Sequence, residues 1–360
     1  MKIMFITDTH LGSRGGSAIF RQLFREYYRD VLFPYVKQNG ITDIFHLGDF
    51  FDSRTSISLA DISYVMNEFI PLVEESGVTM RIIAGNHDTA FRNTNEINSL
   101  ALFSHSDNFR IIDNHVELVE TEGKNFVMIP WVNVENQEQI LDEIKFYANK
   151  DHILCGHLDV IGSPMYKNSK LCDHGFEASA FKGFYKVLSG HFHEPSKNGN
   201  IEYIGALFHY NWQDHMCWRG FHVYEPETDT WTKEANEYEL FTSLIFTDET
   251  LDHLDTEGLD DCVRGQFVRV IVNEAHDKVK LKSFVHEIEL CSPIKVDVID
   301  NTITNDVSID LDAEGQQTVS VKEIHEYVED ALKESPKKET LSKLFDEVYN
   351  QAIENMKTIE

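Results

Sequence analysis

The sequence predicts an α/β protein built on a two-sheet β-sandwich flanked by helices, followed by a small α+β domain and C-terminal helices. Three observations support this fold class. Apolar runs alternate with helical patterns over the first hundred residues or so, as in layered α/β domains. Closely spaced strand-like runs come next, and they indicate a second sheet. Beyond about residue 235 glycines are few and acidic residues are many, which marks a change of domain.

The individual elements follow from hydrophobic periodicity. Residues 18–38 predict a helix because apolar and aromatic side chains recur there at helical spacing. We assign the strand-like runs from residue 109 onward to the second sheet. The predicted strands are 2–7, 41–49, 77–85, 109–113, 126–131, 152–157, 185–191 and 201–207, and the further helices are 58–75 and 136–148.

Three segments are predicted along the chain. A larger domain spans 1–237. A small α+β domain spans 238–320 and contains strand-like runs at 266–273 and 294–299. Residues 321–360 carry apolar side chains at helical spacing, which predicts C-terminal helices.

The composition is that of an acidic globular protein. The 360 residues carry a formal net charge of −29, which argues against a protein that coats nucleic acid by bulk electrostatics. An enzyme that makes a local positive site from metal ions is compatible with this charge. No apolar run has the length of a membrane-spanning helix. Five cysteines without a CxxC pair indicate neither a disulfide framework nor a zinc ribbon, and they fit a reducing cytoplasm.

Metal-ligand residue types follow five of the predicted strands. In four of the five, glycine directly precedes the polar residues, which lets the chain turn sharply and lets another group approach its backbone. Such loops gather beyond the carboxyl ends of strands, so five distant segments can converge on one site. The segments are Asp8-Thr-His10, Gly48-Asp49-Phe-Phe-Asp52, Gly85-Asn86-His87-Asp88, Gly156-His157 and Gly190-His191-Phe-His193.

Each of these segments alone has an ordinary structural explanation. Gly-Asp is usually a turn, Asp-x-His often arises by chance, and His157 alone is more typical of a packed core histidine. His191 and His193 are more specific, because two imidazoles two residues apart on an extended segment point the same way. The ordered combination of all five segments is what indicates a metal site.

This order of motifs resembles the calcineurin-like metallophosphoesterases, and within them the SbcD/Mre-type DNA-repair nucleases. The runs "ITDTHLG", "HLGDFFD", "IAGNHD" and "LSGHFHEP" carry the resemblance, which covers about residues 1–210. Ser53 and Asp88 stand where the Ser/Thr phosphatases of the superfamily have Arg and Glu. The length, acidic character and C-terminal helices resemble the recombination endonuclease subunits of T-even-type bacteriophages, which implies a phage origin.

The resemblance implies two divalent ions, Mn²⁺ with Mg²⁺ as the alternative. Asp49 is expected to bridge them, because a carboxylate can bind one ion with each oxygen. A water shared by the ions is expected to lose a proton and attack phosphorus in line. The implied ligands are Asp8, His10, Asp49 and His193 for the first ion, and Asp49, Asn86, His157 and His191 for the second.

The resemblance also assigns two residues to catalysis. His87 is expected to assist the leaving oxygen as a hydrogen-bond donor or general acid. Asp52 is expected to orient His87 and favour its protonated form. For Asp88 we expect hydrogen bonds to backbone NH groups or to an imidazole rather than a metal.

The sequence evidence for substrate contacts is weaker than that for the metal ligands. Arg14, Arg54 and Arg92 each follow one of the motifs and suit phosphate binding, although pairing with nearby carboxylates is an equally good interpretation. The aromatic run 209–212 is either a surface on which bases stack or part of the core.

The resulting hypothesis is a metal-dependent DNA nuclease subunit. It is expected to act as an exonuclease on duplex ends and an endonuclease on single strands, in recombination, repair and replication. The resemblance implies that residues 321–360 dock on an SMC-like ABC ATPase, which supplies the basic DNA-binding surface. It also implies a homodimer within a heterotetramer, formed through 58–75 and 94–103.

Two rival functions stay open at this stage. One is a small-substrate phosphodiesterase or phosphatase of the same fold. The other is a non-catalytic scaffold for the ATPase. In every case we expect a cytoplasmic protein without membrane association, in the host cell if the gene belongs to a phage.

Overall fold

Two six-stranded β-sheets form the sandwich that the sequence predicts. The computed structural model describes residues 1–166, 170–250 and 255–302. The strands are β1 Ile3–Ile6, β2 Asp43–His46, β3 Thr79–Ile83, β4 Phe109–Ile112, β5 Glu117–Val119, β6 Asn125–Met128, β7 His152–His157, β8 Lys186–Gly190, β9 Ser196–Asn198, β10 Ile201–Tyr203, β11 Gly220–Glu225, β12 Thr230–Ala235, β13 Phe241–Phe246, β14 Phe267–Val272 and β15 Lys295–Asp300.

Helices flank these sheets and include those predicted at 18–38, 58–75 and 136–148. A π-helical segment, Tyr28–Leu32, joins two α-helices into the helix predicted at 18–38, and Val65–Phe69 does the same within 58–75. Each is followed by a proline near the start of the next α-helix, whose missing NH removes one regular hydrogen bond. The α-helices are α1 Ser13–Gly16, α2 Ala18–Tyr27, α3 Phe33–Asn39, α4 Leu59–Tyr64, α5 Ile70–Ser76, α6 Gln137–Tyr147, α7 Thr256–Val263 and α8 Lys278–Leu290, with 3₁₀ turns at Ser99–Phe103 and Ala178–Phe181.

Strand order corrects one prediction. The first sheet has the order β12-β11-β1-β2-β3-β4 and the second β5-β6-β7-β8-β10-β9. The run at 109–113 is therefore an edge strand of the first sheet, parallel to β3, and our assignment to the second sheet is wrong. Apolar character marks a buried strand but does not say which free edge it joins. The hairpin of β11 and β12, which covers the other side of β1, was not predicted.

The two sheets pack through an aromatic and aliphatic layer. The Phe5 ring lies 5.2 Å from that of Phe45 in its own sheet and 5.5 Å from that of Phe126 in the opposite sheet, centroid to centroid. All three rings are fully buried, and each such burial stabilises the fold by roughly 1.5–3 kcal/mol. This layer holds β1, β2, β7 and β8 in fixed relative positions, so their carboxyl ends meet at one edge.

A third sheet has three parallel strands in the order β13-β14-β15. Its strands β14 and β15 confirm the runs predicted at 266–273 and 294–299. Its helices α7 and α8 supply residues to a separate hydrophobic cluster on one face. Phe241 and Phe267 pack instead against Trp212 and Phe20 of the larger part, and Met1–Asp300 is one compact unit. The helices predicted for 321–360 lie outside the described residues. In the described part of the chain, no helix combines the length and apolar character needed to cross a membrane.

Candidate metal centre

The five predicted segments meet at the carboxyl ends of β1, β2, β3, β7 and β8. Within the described part of the chain, side chains from these segments form three groups with the composition of metal sites. In each group, one potential ligand atom per residue lies within 4.8 Å of the others. The groups are Asp8, His10 and His193; His10, Asp49 and His87; and Asp49, His157 and His191.

The first cluster consists of Asp8, His10 and His193. The Nε2 atoms of the two imidazoles lie 3.0 Å apart. Oδ1 of Asp8 lies 3.8 Å from Nε2 of His10 and 3.9 Å from Nε2 of His193. Two ring nitrogens and a carboxylate oxygen that face one another present mainly lone pairs, so a cation at their centre satisfies all three.

The second cluster consists of Asn86, His157 and His191. Oδ1 of Asn86 lies 2.9 Å from Nε2 of His157 and 3.1 Å from Nδ1 of His191. The far nitrogen of each ring is also engaged. Nδ1 of His157 donates to the main-chain oxygen of Leu47 at 2.8 Å, and Nε2 of His191 lies 2.8 Å from Oδ1 of Asp159. Such partners fix which nitrogen of an imidazole faces a metal.

Asp49 lies between the two clusters. Its Oδ2 is 3.2 Å from Nε2 of His157 and 4.0 Å from Nε2 of His10. Its Oδ1 accepts the backbone NH of His87 at 2.7 Å. One oxygen thus faces both clusters while the other holds the loop, which differs from the expectation that each oxygen takes one ion.

Histidine pKa values are shifted in opposite directions in the two clusters. Burial lowers the pKa of His193 to about 3, and nearby Arg219 acts in the same direction. Burial alone also lowers the pKa of His157, but the charges of Asp49 and Asp8 outweigh it and raise the pKa to about 10. Without a metal, the charges around His157 therefore favour its protonated form, whereas His193 is neutral.

The glycines of the motifs are required by close packing between loops. A Cβ atom on Gly85 would lie 2.2 Å from Oδ1 of Asp49, and one on Gly190 would lie 2.1 Å from Oγ1 of Thr7. The loops themselves are strained, because four metal-type residues adopt left-handed backbone angles that L-residues rarely adopt. Their φ angles are 49° at Asp8, 41° at His10, 55° at Asp49 and 87° at His191.

His87 and Asp52 come together through the main chain. Nδ1 of His87 donates to the carbonyl oxygen of Asp52 at 2.5 Å. The Asp52 carboxylate instead lies 3.5 Å from Nδ1 of His10. Burial lowers the pKa of His87, but the Asp49 charge and the Asp52 carbonyl outweigh it, so its pKa is raised overall.

Asp88 has the backbone role that we expected. Its carboxylate accepts from the NH groups of Gly85 at 2.9 Å, Phe51 at 3.0 Å and Phe50 at 3.3 Å. It therefore ties the loop that carries Asn86 to the loop that carries Asp49. Burial, together with the Asp49 charge, raises the pKa of Asp88 to about 7.

The predicted arginines occupy different environments. Arg14 is exposed and donates from Nε and Nη2 to the main-chain oxygen of Tyr210, at 3.2 and 3.0 Å. Arg54 is partly buried, and its charge acts on His87. Arg92 is exposed on the loop after β3. The structure brings only the Arg54 charge to the catalytic histidine candidate.

The aromatic run 209–212 belongs largely to the core. His209 is 4% exposed and Tyr210 is 7% exposed. The Tyr210 hydroxyl donates to the main-chain oxygen of Asp8 at 2.7 Å, and its ring packs on the His10 ring at 5.3 Å between centroids. Tyr210 thus supports the first cluster from behind.

Two supporting groups were missed by the sequence analysis, Asp159 and the Leu47 carbonyl. Asp159 lies two residues after His157, in "GHLD". That spacing is the only local signal, since its partner His191 is distant in sequence. The Leu47 carbonyl had no signal, because any residue type supplies one.

Comparison with known proteins agrees with this geometry. A family model described as calcineurin-like phosphoesterase matches residues 1–195. The chain belongs to this family. Exonuclease subunit 1 of Enterobacteria phage T4 is 28% identical over 326 residues, which cover 89% of this chain and 91% of that protein.

The solved structures that are similar to this calcineurin-like phosphoesterase share little sequence with it. A novel archaeal phosphodiesterase is 15% identical, with 66% of this chain and 100% of that chain covered and a TM-score of 0.33. The purple acid phosphatase PPD1 from yellow lupin (Lupinus luteus) seeds is 13% identical, with coverage of 65% and 52% and a TM-score of 0.38. GAP50 of Plasmodium, the anchor in the inner membrane complex, is 12% identical, with coverage of 84% and 98% and a TM-score of 0.38.

Family membership sets the reaction class. Calcineurin-like phosphoesterases hydrolyse phosphoesters with divalent metal ions, and the clustered Asp and His residues here fit such ions. The two-sheet fold flanked by helices agrees with the same family. The chain is therefore a metal-dependent phosphoester hydrolase.

Proposed function

We propose that this chain is the nuclease subunit of a DNA-processing complex. It acts as an exonuclease on duplex ends and an endonuclease on single strands, in recombination, repair and replication. The observation that carries the proposal is the pair of clusters that share Asp49. The similarity to a phage exonuclease subunit across most of both chains supports DNA as the substrate and the interior of a host cell as the place of action.

Two divalent ions, Mn²⁺ or alternatively Mg²⁺, supply an activated water and neutralise the charge of the attacked phosphate when bound. Asp8, His10 and His193 hold one ion, and Asn86, His157 and His191 hold the other. Asp49, whose Oδ2 faces both clusters, would contribute to holding both ions. The carboxylates offset part of the ionic charge, and the neutral imidazoles and amide leave enough positive charge for a phosphodiester.

His87 acts on the leaving oxygen. Its Nδ1 is held by the Asp52 carbonyl, so Nε2 is the nitrogen available to the substrate. The raised pKa favours the imidazolium form, in which Nε2 carries a proton. Asp52 is then a positioning residue: its carbonyl holds His87, its charge also raises the pKa of His87, and its carboxylate lies beside His10. Arg54, and less directly Arg14 and Arg92, are proposed to contact DNA phosphates.

Partner binding is proposed for two parts of the chain. An apolar groove lined by Ile57, Ile62, Met66 and Leu102 lies at the helices expected to form a homodimer, and Leu59 beside it is 85% exposed. We further propose that residues 321–360 bind an SMC-like ATPase. The printed name of the T4 relative, a subunit, supports an assembly of more than one chain.

The test is cleavage of an end-labelled linear duplex by the purified protein with Mn²⁺, with Mg²⁺ and with EDTA. Asp49→Ala is the negative control. Metal-dependent shortening that Asp49→Ala lacks supports the proposal. Rapid hydrolysis of a phosphomonoester without DNA cleavage, even with the ATPase added, would replace it with the phosphatase alternative. Failure to bind metal would support the scaffold alternative.

His87→Ala tests the leaving-group role in the same assay. We expect wild-type metal content and a loss of cleavage of about 10²–10⁴-fold, the usual range for a general acid. Asp107→Ala, at an exposed carboxylate, is the matched control. Cleavage at the wild-type rate by His87→Ala rejects the role.

A further inference from the structure

A separate cluster of ligand-type side chains lies beside the metal centre, in the connection between β7 and β8. We call Asp159, Cys172 and His174 the outer cluster. One potential ligand atom from each lies within 4.8 Å of the other two. Cys172 is buried at 2% exposure, whereas the His174 side chain is 59% exposed. An ion can therefore reach the cluster from solvent.

The backbone fixes the three residues relative to one another. Phe176 donates its NH to the oxygen of Asp159 at 2.9 Å, and Cys172 donates to Ser163 at 2.9 Å. Gly175, at a φ of 88°, passes so close to Asp159 that an added Cβ would lie 2.3 Å from the Asp159 oxygen. These contacts bind the segment around 172–176 to the segment after β7, so the cluster does not depend on a long free loop.

One interatomic distance already suits a tetrahedral ion. In a zinc site with metal–ligand bonds of about 2.0–2.3 Å, neighbouring ligand atoms are about 3.3–3.6 Å apart. Nε2 of His174 lies 3.4 Å from Oδ1 of Asp159. Sγ of Cys172 lies 3.9 Å from Nδ1, the other ring nitrogen of His174, so the Cys172 side chain must rotate to bring Sγ toward Nε2.

The orientation of His174 points to the same use. Its Nδ1 lies 2.9 Å from Oδ1 of Asp173, which accepts the ring proton. The lone pair of Nε2 then faces Asp159. A carboxylate behind a metal-binding imidazole is the usual arrangement in zinc sites, and here adjacent residues provide it.

We propose that Asp159, Cys172 and His174 bind one thiophilic divalent ion of the Zn²⁺ class, with solvent completing its coordination. Thiolate, imidazole and carboxylate together favour Zn²⁺ over Mg²⁺ or Mn²⁺. On binding, the Cys172 thiol releases its proton to solvent and gives up its contact with the His174 carbonyl, now 3.2 Å from Sγ. Oδ1 of Asp159 faces both His174 and His191, so a rotation of the carboxylate is needed to give one oxygen to the ion and leave the other for His191.

The test is titration of the metal-free full-length protein with Co²⁺, followed by absorbance. A thiolate ligand gives Co²⁺ a near-ultraviolet charge-transfer band, and the predicted ligands of the metal centre include no cysteine. We expect one equivalent of this band in the wild type, in Asp49→Ala and in Cys262→Ser, which alters an exposed cysteine. The band is expected to vanish in Cys172→Ser and to be displaced by Zn²⁺ in the wild type.

A second variant distinguishes the loss of a ligand from misfolding, because Cys172 is buried and its replacement can disturb the fold. His174→Ala alters an exposed side chain, and we expect it to reduce Co²⁺ affinity at the band by about tenfold or more. Absence of a thiolate band in the wild type overturns the proposal. So does a band of equal strength in Cys172→Ser, or wild-type affinity in His174→Ala. Nuclease activity is not needed for any of these readouts.

Discussion

The two clusters of the metal centre are built from similar side chains but are supported very differently. In the second cluster, His157 is fully buried, and both imidazoles are held from behind, by Leu47 and by Asp159. In the first cluster, the His193 side chain is 34% exposed. The Tyr210 ring packs against His10 and the Asp52 carboxylate lies 3.5 Å from Nδ1 of His10, but within the described residues this Nδ1 makes no hydrogen bond.

This difference indicates that the second cluster is preorganised and the first is adaptable. A preorganised site binds its ion with less loss of side-chain entropy. We therefore expect the ion of the second cluster to bind more tightly. The ion of the first cluster, near the exposed His193, is expected to exchange more readily and to adjust as substrate enters.

The largest effect is expected from Asp49→Ala, which removes the one residue common to both clusters. Both ions should be lost, and with them cleavage. Metal content after gel filtration, measured by mass spectrometry, checks this, with Asp107→Ala as the control. Retention of one ion at wild-type affinity shows that the clusters do not share Asp49.

The expected difference in affinity between the two clusters is tested by comparing His157→Ala with His193→Ala. His157→Ala should weaken total Mn²⁺ binding more, because the better-held ligand contributes more affinity. Calorimetric titration of metal-free protein with Mn²⁺ resolves the two sites. Equal losses in the two variants, or a greater loss in His193→Ala, contradict the ranking.

A smaller effect is expected from Asp159→Asn, which weakens the support behind His191. Mn²⁺ affinity of the second cluster should fall roughly 10–100-fold, the usual cost of losing such a partner. The tighter phase of the Mn²⁺ titration reports it, while the weaker phase should not move. Glu177→Gln, at an exposed position of the same connection, is the control. A change confined to the weaker phase contradicts the assignment.

The smallest effect concerns Asp88, which ties the loops of the two clusters together. Its pKa is raised on folding from 3.8 to about 7, so the folded state favours the protonated acid. The stabilisation is complete below about pH 4 and is lost as the pH rises to about 7. Asn cannot titrate, so Asp88→Asn should gain stability relative to the wild type as the pH rises across this window.

Urea denaturation of both proteins at several pH values, in EDTA, measures this difference. Bound metal ions should shrink it, because their charge offsets that of Asp49. A stability difference that is the same at every pH rejects the explanation.

The ligand-type residues could be predicted from sequence because each one sits in a local pattern. Gly85 and Gly190 mark two of these patterns in the sequence. The fold requires glycine at both positions, because any side chain there would collide with the next loop. Repetition of this pattern at five strand ends turned a weak signal into a strong one. The structure brings all seven predicted metal residues together.

The supporting contacts could not be predicted, because they depend on strand order. Asp159 meets His191 only because β7 and β8 are neighbours. The carboxylate of Asp52 faces His10 and its carbonyl faces His87, a choice made by side-chain rotation and not by residue type. Likewise, the run at 109–113 looked like a strand of either sheet.

The left-handed backbone at Asp8, His10, Asp49 and His191 has a consequence for evolution. Each such residue costs roughly 1–2 kcal/mol that glycine does not incur. Glycine at these positions therefore relieves the chain while removing the chemistry. At Asp8 and Asp49, glycine would also remove hydrogen bonds to the neighbouring loops. The strain is therefore tolerated where the same side chains serve both the site and the packing of its loops.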